Sequence, residues 1–419
     1  MPEVTIPPAP PTLAPRALIV IGIVALSMAA GTTGLQSVMP ALGRKIGVAD
    51  WQVAGAFSLS ALLWTLASPV WGRISEQRGR KPLMLLGLGG FAVSMLGCGI
   101  DVLAGLHGAA PPLWIFGGFA VLRAIYGLLG SAAGVASQAY VADNTAGAAR
   151  TASLAQLAGA TGLGTILGPA VAPLLVFPGV DLSGPMLGFG VAAILVFLMV
   201  RLTVAESARA ERIGAALARP VVAPGLWRDR RFASLLVCGL LLTSAQAVNG
   251  FVVGFQVIDT LGRDPAQAQR FIVYVLIAGS AVSLVAQWGV AAWLRLPAAW
   301  LLRLGLAAAC GGNVVLVAAG GYGALLLGYA LACFGYALAR PGFAAAMSLA
   351  GMEHEQGWAA GAVSAVNGAC VIATPMLGVL LYEASHTAPF ALNAVLLFGL
   401  FVWRLNRHPA PSGAIGARG

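Results

Sequence analysis

The sequence predicts an all-α membrane protein, with twelve transmembrane helices arranged as two pseudo-symmetric six-helix bundles. Three observations carry this. Charged residues make up 9% of the 419 and apolar ones 59%, with a mean hydropathy of +0.88. A soluble domain carries about 25% charge, so a single water-soluble core is excluded. Apolar runs near the ~20 residues needed to cross a bilayer recur along the whole chain. The basic residues between them fall mostly in alternate loops, as they do where cations set the orientation of a membrane chain.

Taken in order, the runs lie at roughly 17–39, 51–71, 83–100, 113–140, 152–176, 185–203, 232–257, 270–294, 298–319, 322–349, 358–382 and 389–403. The last is short unless it starts near Ser385. With both ends in the cytoplasm, that side receives 18 of the 24 Lys and Arg residues. The other side holds Arg44, Lys45, Arg263 and Arg270, while Arg123 and Arg340 fall inside spans. A cytoplasmic tail (1–16), an N-terminal bundle (17–203), a cytoplasmic linker (204–231), a C-terminal bundle (232–403) and a second tail (404–419) follow. The proline-rich start lacks the basic region and cleavage site of a signal peptide. The linker, with Glu206, Glu211 and several Arg, reads equally as a surface amphipathic helix or as a solvated connector.

The two halves echo each other. Gly168-Pro169 in span 5 has a counterpart at Thr374-Pro375 in span 11, and Gly72 after span 2 has one at Gly289 after span 8. A parallel duplication of a six-helix unit is a repeat plan of membrane transport proteins. Glycine, 55 residues, is about twice its usual ~7%, as needed where helices approach closely in lipid.

Several chemistries are excluded as expectations. Cys98, Cys238, Cys310, Cys333 and Cys370 sit in apolar runs at unrelated spacings, and the four histidines form no cluster, so neither a disulfide framework nor a metal site is expected. No nucleophile or paired catalytic carboxylates appear, so neither an enzyme nor a cofactor is expected. The formal charge of +10 orients the chain in the bilayer and implies no nucleic-acid partner.

The candidate functional residues are the polar ones that lipid makes costly. The loop Gly72 to Pro82 packs four basic residues and Glu76 between two spans, and Asp143 at the end of span 4 is a natural partner for Arg80. Arg123 lies about 13 Å into span 4 at 1.5 Å per residue, where a charge is functional by default. Gln246, Asn249 and Gln256 share one face of span 7, and Thr32 and Gln36 share one face of span 1. Tyr126, Tyr336 and Asn367, with Gln138, Gln156 and Tyr274, complete a set suited to an amphipathic organic ligand. Each one alone also reads as interhelical glue. Arg340, before Pro341, is open to gating or to snorkelling.

These residues resemble the major facilitator superfamily. The loop matches the signature G-x-[LI]-[GAS]-[DN]-R-x-G-R-[KR] at Gly72, Ile74, Ser75, Gly79, Arg80 and Lys81, and departs from it at Glu76 and Gln77. Arg123 and Gly127 match the R-x-x-x-G of span 4. Gly164, Gly168 and Pro169 match the span 5 signature of the family's antiporters, and Pro341 to Ser348 with Glu355-Gln356-Gly357 resembles the tetracycline-type branch. The resemblance covers nearly the whole chain. It implies an alternating-access exporter of small organic molecules, a monomer in a bacterial-type inner membrane, exchanging its substrate for protons. It also implies a cytoplasmic gate of Gly72, Glu76, Gly79, Arg80, Lys81 and Asp143, with Glu76 meeting the start of span 11 near Gly357. Span 1 departs from that branch. It carries no embedded acid, and the remaining acids, Asp101, Asp143, Asp259, Glu383 and Glu76, are expected at the periphery. Export of one endogenous metabolite such as a siderophore, facilitated uptake, and a non-transporting sensor are the alternatives.

Overall fold

A computed structural model describes residues 15–145, 147–205, 229–291, 297–350 and 356–405. Without water to satisfy it, a backbone in lipid closes its hydrogen bonds within each helix, and no strand occurs among the described residues. Among the described residues, twelve α-helices follow one another. They are α1 (Pro15–Ile46), α2 (Asp50–Arg78), α3 (Arg80–Leu106), α4 (Pro112–Asp143), α5 (Gly147–Val171) and α6 (Gly184–Thr203). Then come α7 (Arg230–Leu261), α8 (Pro265–Leu284), α9 (Ala298–Val317), α10 (Tyr322–Ala350), α11 (Gln356–Ala384) and α12 (Ala388–Leu405). Two carry π-helical turns, Tyr126–Gly130 within α4 and Val285–Ala291 following α8. Eleven are long and apolar enough to cross a membrane, and the apolar part of α12, Ala388–Trp403, is shorter.

One boundary corrects the sequence reading. The third apolar run stops at residue 100 because Asp101 interrupts it, but α3 continues to Leu106. Apolarity ends at a charge, whereas helical hydrogen bonding does not. The stop comes instead at Gly108, in the left-handed region with φ 69°, and Pro111. Asp101 is therefore inside a helix.

The chain divides into two compact units. Unit 1 is Met1–Val48 with Leu59–Gly214, and unit 2 is Ala49–Ser58 with Ala215–Gly419. The expected division at the linker falls on 206–228, outside the described residues; the start of α2 groups with unit 2. Within unit 1, α1 packs on α5 and α6, and α3 packs on α4 and α6. Within unit 2, α9 packs on α10 and α12, α7 on α11, and α8 on α10. Small residues set the α9–α10 spacing: a methyl on Gly312 would overlap the Ala332 amide nitrogen. With no hydrophobic drive between helices in lipid, such close van der Waals contact does much of the holding.

Candidate functional site

The charged loop is shorter than its sequence implies. Helix α2 ends at Arg78 and α3 begins at Arg80, so the hairpin turns on Gly79 alone, at φ 95°. L side chains rarely adopt that conformation, so only glycine takes the position without strain. The turn sends the Arg80 side chain back under the helices, where it is 8% exposed. Its Nε donates to Asp143 Oδ2 at 2.9 Å, and its Nη1 donates to Ser75 Oγ. One guanidinium thus ties α2, α3 and the end of α4. Lys81 and Gly72 are half-buried and Glu76 is exposed. The region expected to receive Glu76 adjoins residues 351–355, outside the described residues.

Arg123 is 2% exposed and sits one turn before the π-helical segment of α4. Its guanidinium carbon lies 4.6 Å from the centre of the Tyr126 ring, a cation–π contact worth about 2 kcal/mol when desolvated. The Tyr126 hydroxyl is hydrogen-bonded to Thr32 Oγ1 of α1 at 3.0 Å, and the ring packs against Trp64 and Phe91. The carbonyl of Arg123 accepts a hydrogen bond of 2.7 Å from Ser60 Oγ on α2. A methyl on Gly127 would overlap the Ser60 carbonyl oxygen. The R-x-x-x-G spacing therefore has a physical reading: the glycine admits α2, and α2 brings the serine to the arginine's backbone. Irregular turns of this kind gather at functional positions. Gln36, one turn beyond Thr32, is half-buried.

The span 5 signature is a helix contact. A methyl on Gly164 would overlap the Leu26 carbonyl oxygen, and one on Gly168 the Ala30 carbonyl oxygen, so α5 lies backbone to backbone on α1. Gly159 and Gly162, upstream on α5, face open space. Pro169 lies inside the helix.

In unit 2 the candidates separate. Asn249 and Tyr336, each 1% exposed, belong to a buried network. Asn249 Nδ2 and Asn313 Nδ2 both donate to the Tyr336 hydroxyl, at 3.2 and 3.0 Å, and Asn393 Nδ2 donates to Asn249 Oδ1 at 2.9 Å. Four helices, α7, α9, α10 and α12, meet there. Gln256 is buried, with Nε2 3.4 Å from Leu316 O. Asn367 Oδ1 accepts from Thr243 at 3.4 Å, and Gln246 is half-buried. Gln138, Gln156, Tyr274 and Arg340 are exposed, which for Arg340 fits snorkelling. Sequence reasoning missed Ser60, Asn313 and Asn393, and it had Ser75 only as a position of the loop signature, not as a partner of Arg80. The two asparagines were findable, since amides in apolar spans are conspicuous; nothing marks Ser60.

A multi-span membrane protein that buries arginines at helix junctions, and draws helices together on glycine, has the build of a solute carrier. Comparison with known proteins supplies the family. The family model of the Major Facilitator Superfamily matches residues 21–371, so the chain belongs to that superfamily, whose members are membrane transporters and not enzymes. It is 31% identical over 199 residues to the tetracycline resistance protein, class C, of Escherichia coli, covering 46% of each chain. It is 38% identical over 74 residues to the multidrug resistance protein MdtG of Salmonella arizonae, covering 18% of this chain and 15% of that one. The matched part thus spans less than half the length of these curated relatives. Among solved structures, the nucleoside transporter NupG superposes with a TM-score of 0.72 at 10% identity, covering 93% of this chain and 99% of the other. At that identity the likeness concerns the fold alone.

Proposed function

We propose that this protein exports small organic, amphipathic molecules by alternating access, in antiport with protons, across a bacterial-type inner membrane with both termini in the cytoplasm. The relatives named for tetracycline and multidrug resistance support the direction and the substrate class. The observation that carries the reading is Arg123, a guanidinium in a membrane-crossing helix with aromatic and hydroxyl groups arranged around it. Lipid makes such a charge costly, so a purely structural role is a poor account of it. In this reading the bundles 17–203 and 232–403 carry the alternating access that the fold family uses. Arg123, Tyr126, Thr32 and Gln36 meet substrate or proton in the first bundle, and Gln246, Gln256 and Asn367 do so in the second. Asn249 and Tyr336 hold the second bundle's helices in register. The Arg80–Asp143 pair anchors the inner gate, and Glu76 engages when the inside closes.

The test is flux in proteoliposomes holding the full-length protein, with tetracycline as the probe. An acid lumen, whose protons leave as the probe enters, is expected to drive accumulation, and dissipating the gradient is expected to abolish it. Accumulation indifferent to the gradient would remove antiport from the proposal.

A further inference from the structure

Helix α3 carries an acid where the hydropathy pattern breaks but the helix does not. Asp101 lies 5 residues before the end of α3 at Leu106. It shares a helical face with Ser94 and Cys98, which lie earlier on the helix and are both fully buried. That face meets α4. A methyl on Gly118 would lie 2.6 Å from Asp101 Oδ1 and 3.0 Å from its carboxyl carbon. The missing side chain of Gly118 therefore forms a notch that the carboxyl group occupies, with the backbone N–H of Phe119 directed at it. The other oxygen, Oδ2, is buried and has no hydrogen-bond partner among the described residues.

The surroundings offer this carboxyl little compensation. From α4 come Arg123 and Tyr126, which are in contact with each other, and Cys98 lies within electrostatic range of both Arg123 and Asp101. Tyr140 and Asp143 stand at the far end of α4, where Asp143 is bridged to Arg80. From α1 come Arg44 and Lys45, and from the short turn Asp181–Ser183 comes Asp181, which holds Lys45 in a salt bridge. Helix α6 brings Arg201, at its opposite end. On α3's own side, His107 follows the helix and its ring contacts the Leu103 carbonyl. An ionised carboxylate wants donors on both oxygens, and a buried one without them is expensive. A neutral carboxyl needs less: Oδ1 takes the backbone donor, and Oδ2 carries the proton.

We propose that Asp101 is the proton-carrying group of unit 1, holding a proton on Oδ2 while seated in the Gly118 notch and ionised when that seat is wetted. The inference rests on the antiport reading and deepens it, supplying the acid that span 1 lacks. One proton is taken from water on one side and returned to water on the other, so each turnover leaves the carboxyl as it began.

Two measurements on the full-length protein test this separately. Dicyclohexylcarbodiimide modifies carboxyl groups that are protonated in an apolar setting, and peptide mass spectrometry locates the product without any substrate. Labelling at Asp101 is expected, falling as pH is raised and falling also in Gly118→Ala, whose methyl displaces the carboxyl. Asp101 unlabelled in the wild type, at acid and neutral pH alike, overturns the assignment. In proteoliposomes, with tetracycline as the probe, Asp101→Asn is expected to lose gradient-driven accumulation and Asp101→Glu to recover part of it, both eluting as the wild type does. Gradient-driven accumulation that survives in Asp101→Asn likewise overturns it. A labelled Asp101 with wild-type flux indifferent to pH sinks antiport and leaves the protonation site standing. Gradient-driven flux with no labelling does the reverse.

Discussion

The two units bury polar side chains in different ways. Among the described residues, both buried arginines, Arg80 and Arg123, belong to unit 1, as does the seated carboxyl of Asp101. The central polar cluster of unit 2 is neutral, three asparagines and a tyrosine that hydrogen-bond one another. A neutral network in lipid has no charge to desolvate and adds modestly to stability, about 0.6 kcal/mol per interhelical hydrogen bond on average. A buried charge does the opposite, since its desolvation can exceed what its partners return. Unit 1 thus carries groups that stability alone does not explain, and unit 2 carries groups that it does. The first should govern transport and the second should govern rigidity.

The largest effect expected is at the Arg80–Asp143 pair. Asp143→Ala leaves the Arg80 guanidinium buried without its carboxylate, which costs about 3–5 kcal/mol when one partner of a buried pair is removed. The thermal midpoint in detergent should fall steeply. The double variant Arg80→Met with Asp143→Leu should recover most of the loss and still fail to transport. If Asp143→Ala melts with the wild type, the pair is not the junction described here.

Next comes the glycine contact of α5 on α1. Gly168→Val places branched carbons where even a methyl would overlap the Ala30 carbonyl oxygen, and overpacking of this kind costs about 1–3 kcal/mol. Gly162→Val, on the same helix but facing open space, should be close to neutral. The contrast is read by comparing folded yield and thermal midpoints of the two variants. Equal behaviour would mean that the signature marks composition and not contact.

Arg123 sharpens the comparison most directly. Arg123→Met removes a charge whose burial is unfavourable and keeps much of the volume, so stability should hold or rise by up to about 1–4 kcal/mol. Tetracycline accumulation should nevertheless be lost. A variant that unfolds would show that Arg123 anchors the unit, and one that still accumulates the probe would remove Arg123 from the transport path.

Much of this organisation is legible in the sequence because lipid leaves the backbone few options. Hydropathy alone locates the helices, the signature residues mark Arg80, Arg123 and Gly168, and charge complementarity suggests Asp143 as the partner of Arg80. Pairings across distant helices leave no such trace. Ser60 has no sequence mark that ties it to the Arg123 carbonyl 63 positions later. The π-helical turn after Arg123 leaves no periodicity to read. Asn249 and Tyr336 stand out in the sequence as polar residues inside spans, but nothing there shows that they meet each other, Asn313 and Asn393. Asp101 reads as peripheral because hydropathy falls at a charge, while α3 continues through it.

The smallest effect expected lies in the neutral network. Tyr336→Phe removes a hydroxyl that accepts from Asn249 and Asn313 and leaves the ring in place. Two donors lose a partner in the interior of unit 2, and one of them keeps another acceptor. Asn313 Nδ2 also reaches the Ala309 carbonyl at 2.8 Å, while Asn249 stays tied to Asn393 only through its acceptor Oδ1. The cost should therefore be near that of one or two interhelical hydrogen bonds, about 0.6–1.2 kcal/mol, seen as a small drop in thermal midpoint. Transport of tetracycline should stay within about twofold of wild type, because the ring and helix spacing are unchanged and a factor of two is under about 0.5 kcal/mol. Loss of flux with the midpoint intact would place Tyr336 among the residues that meet the substrate, and unit 2 would then use its polar core as unit 1 does.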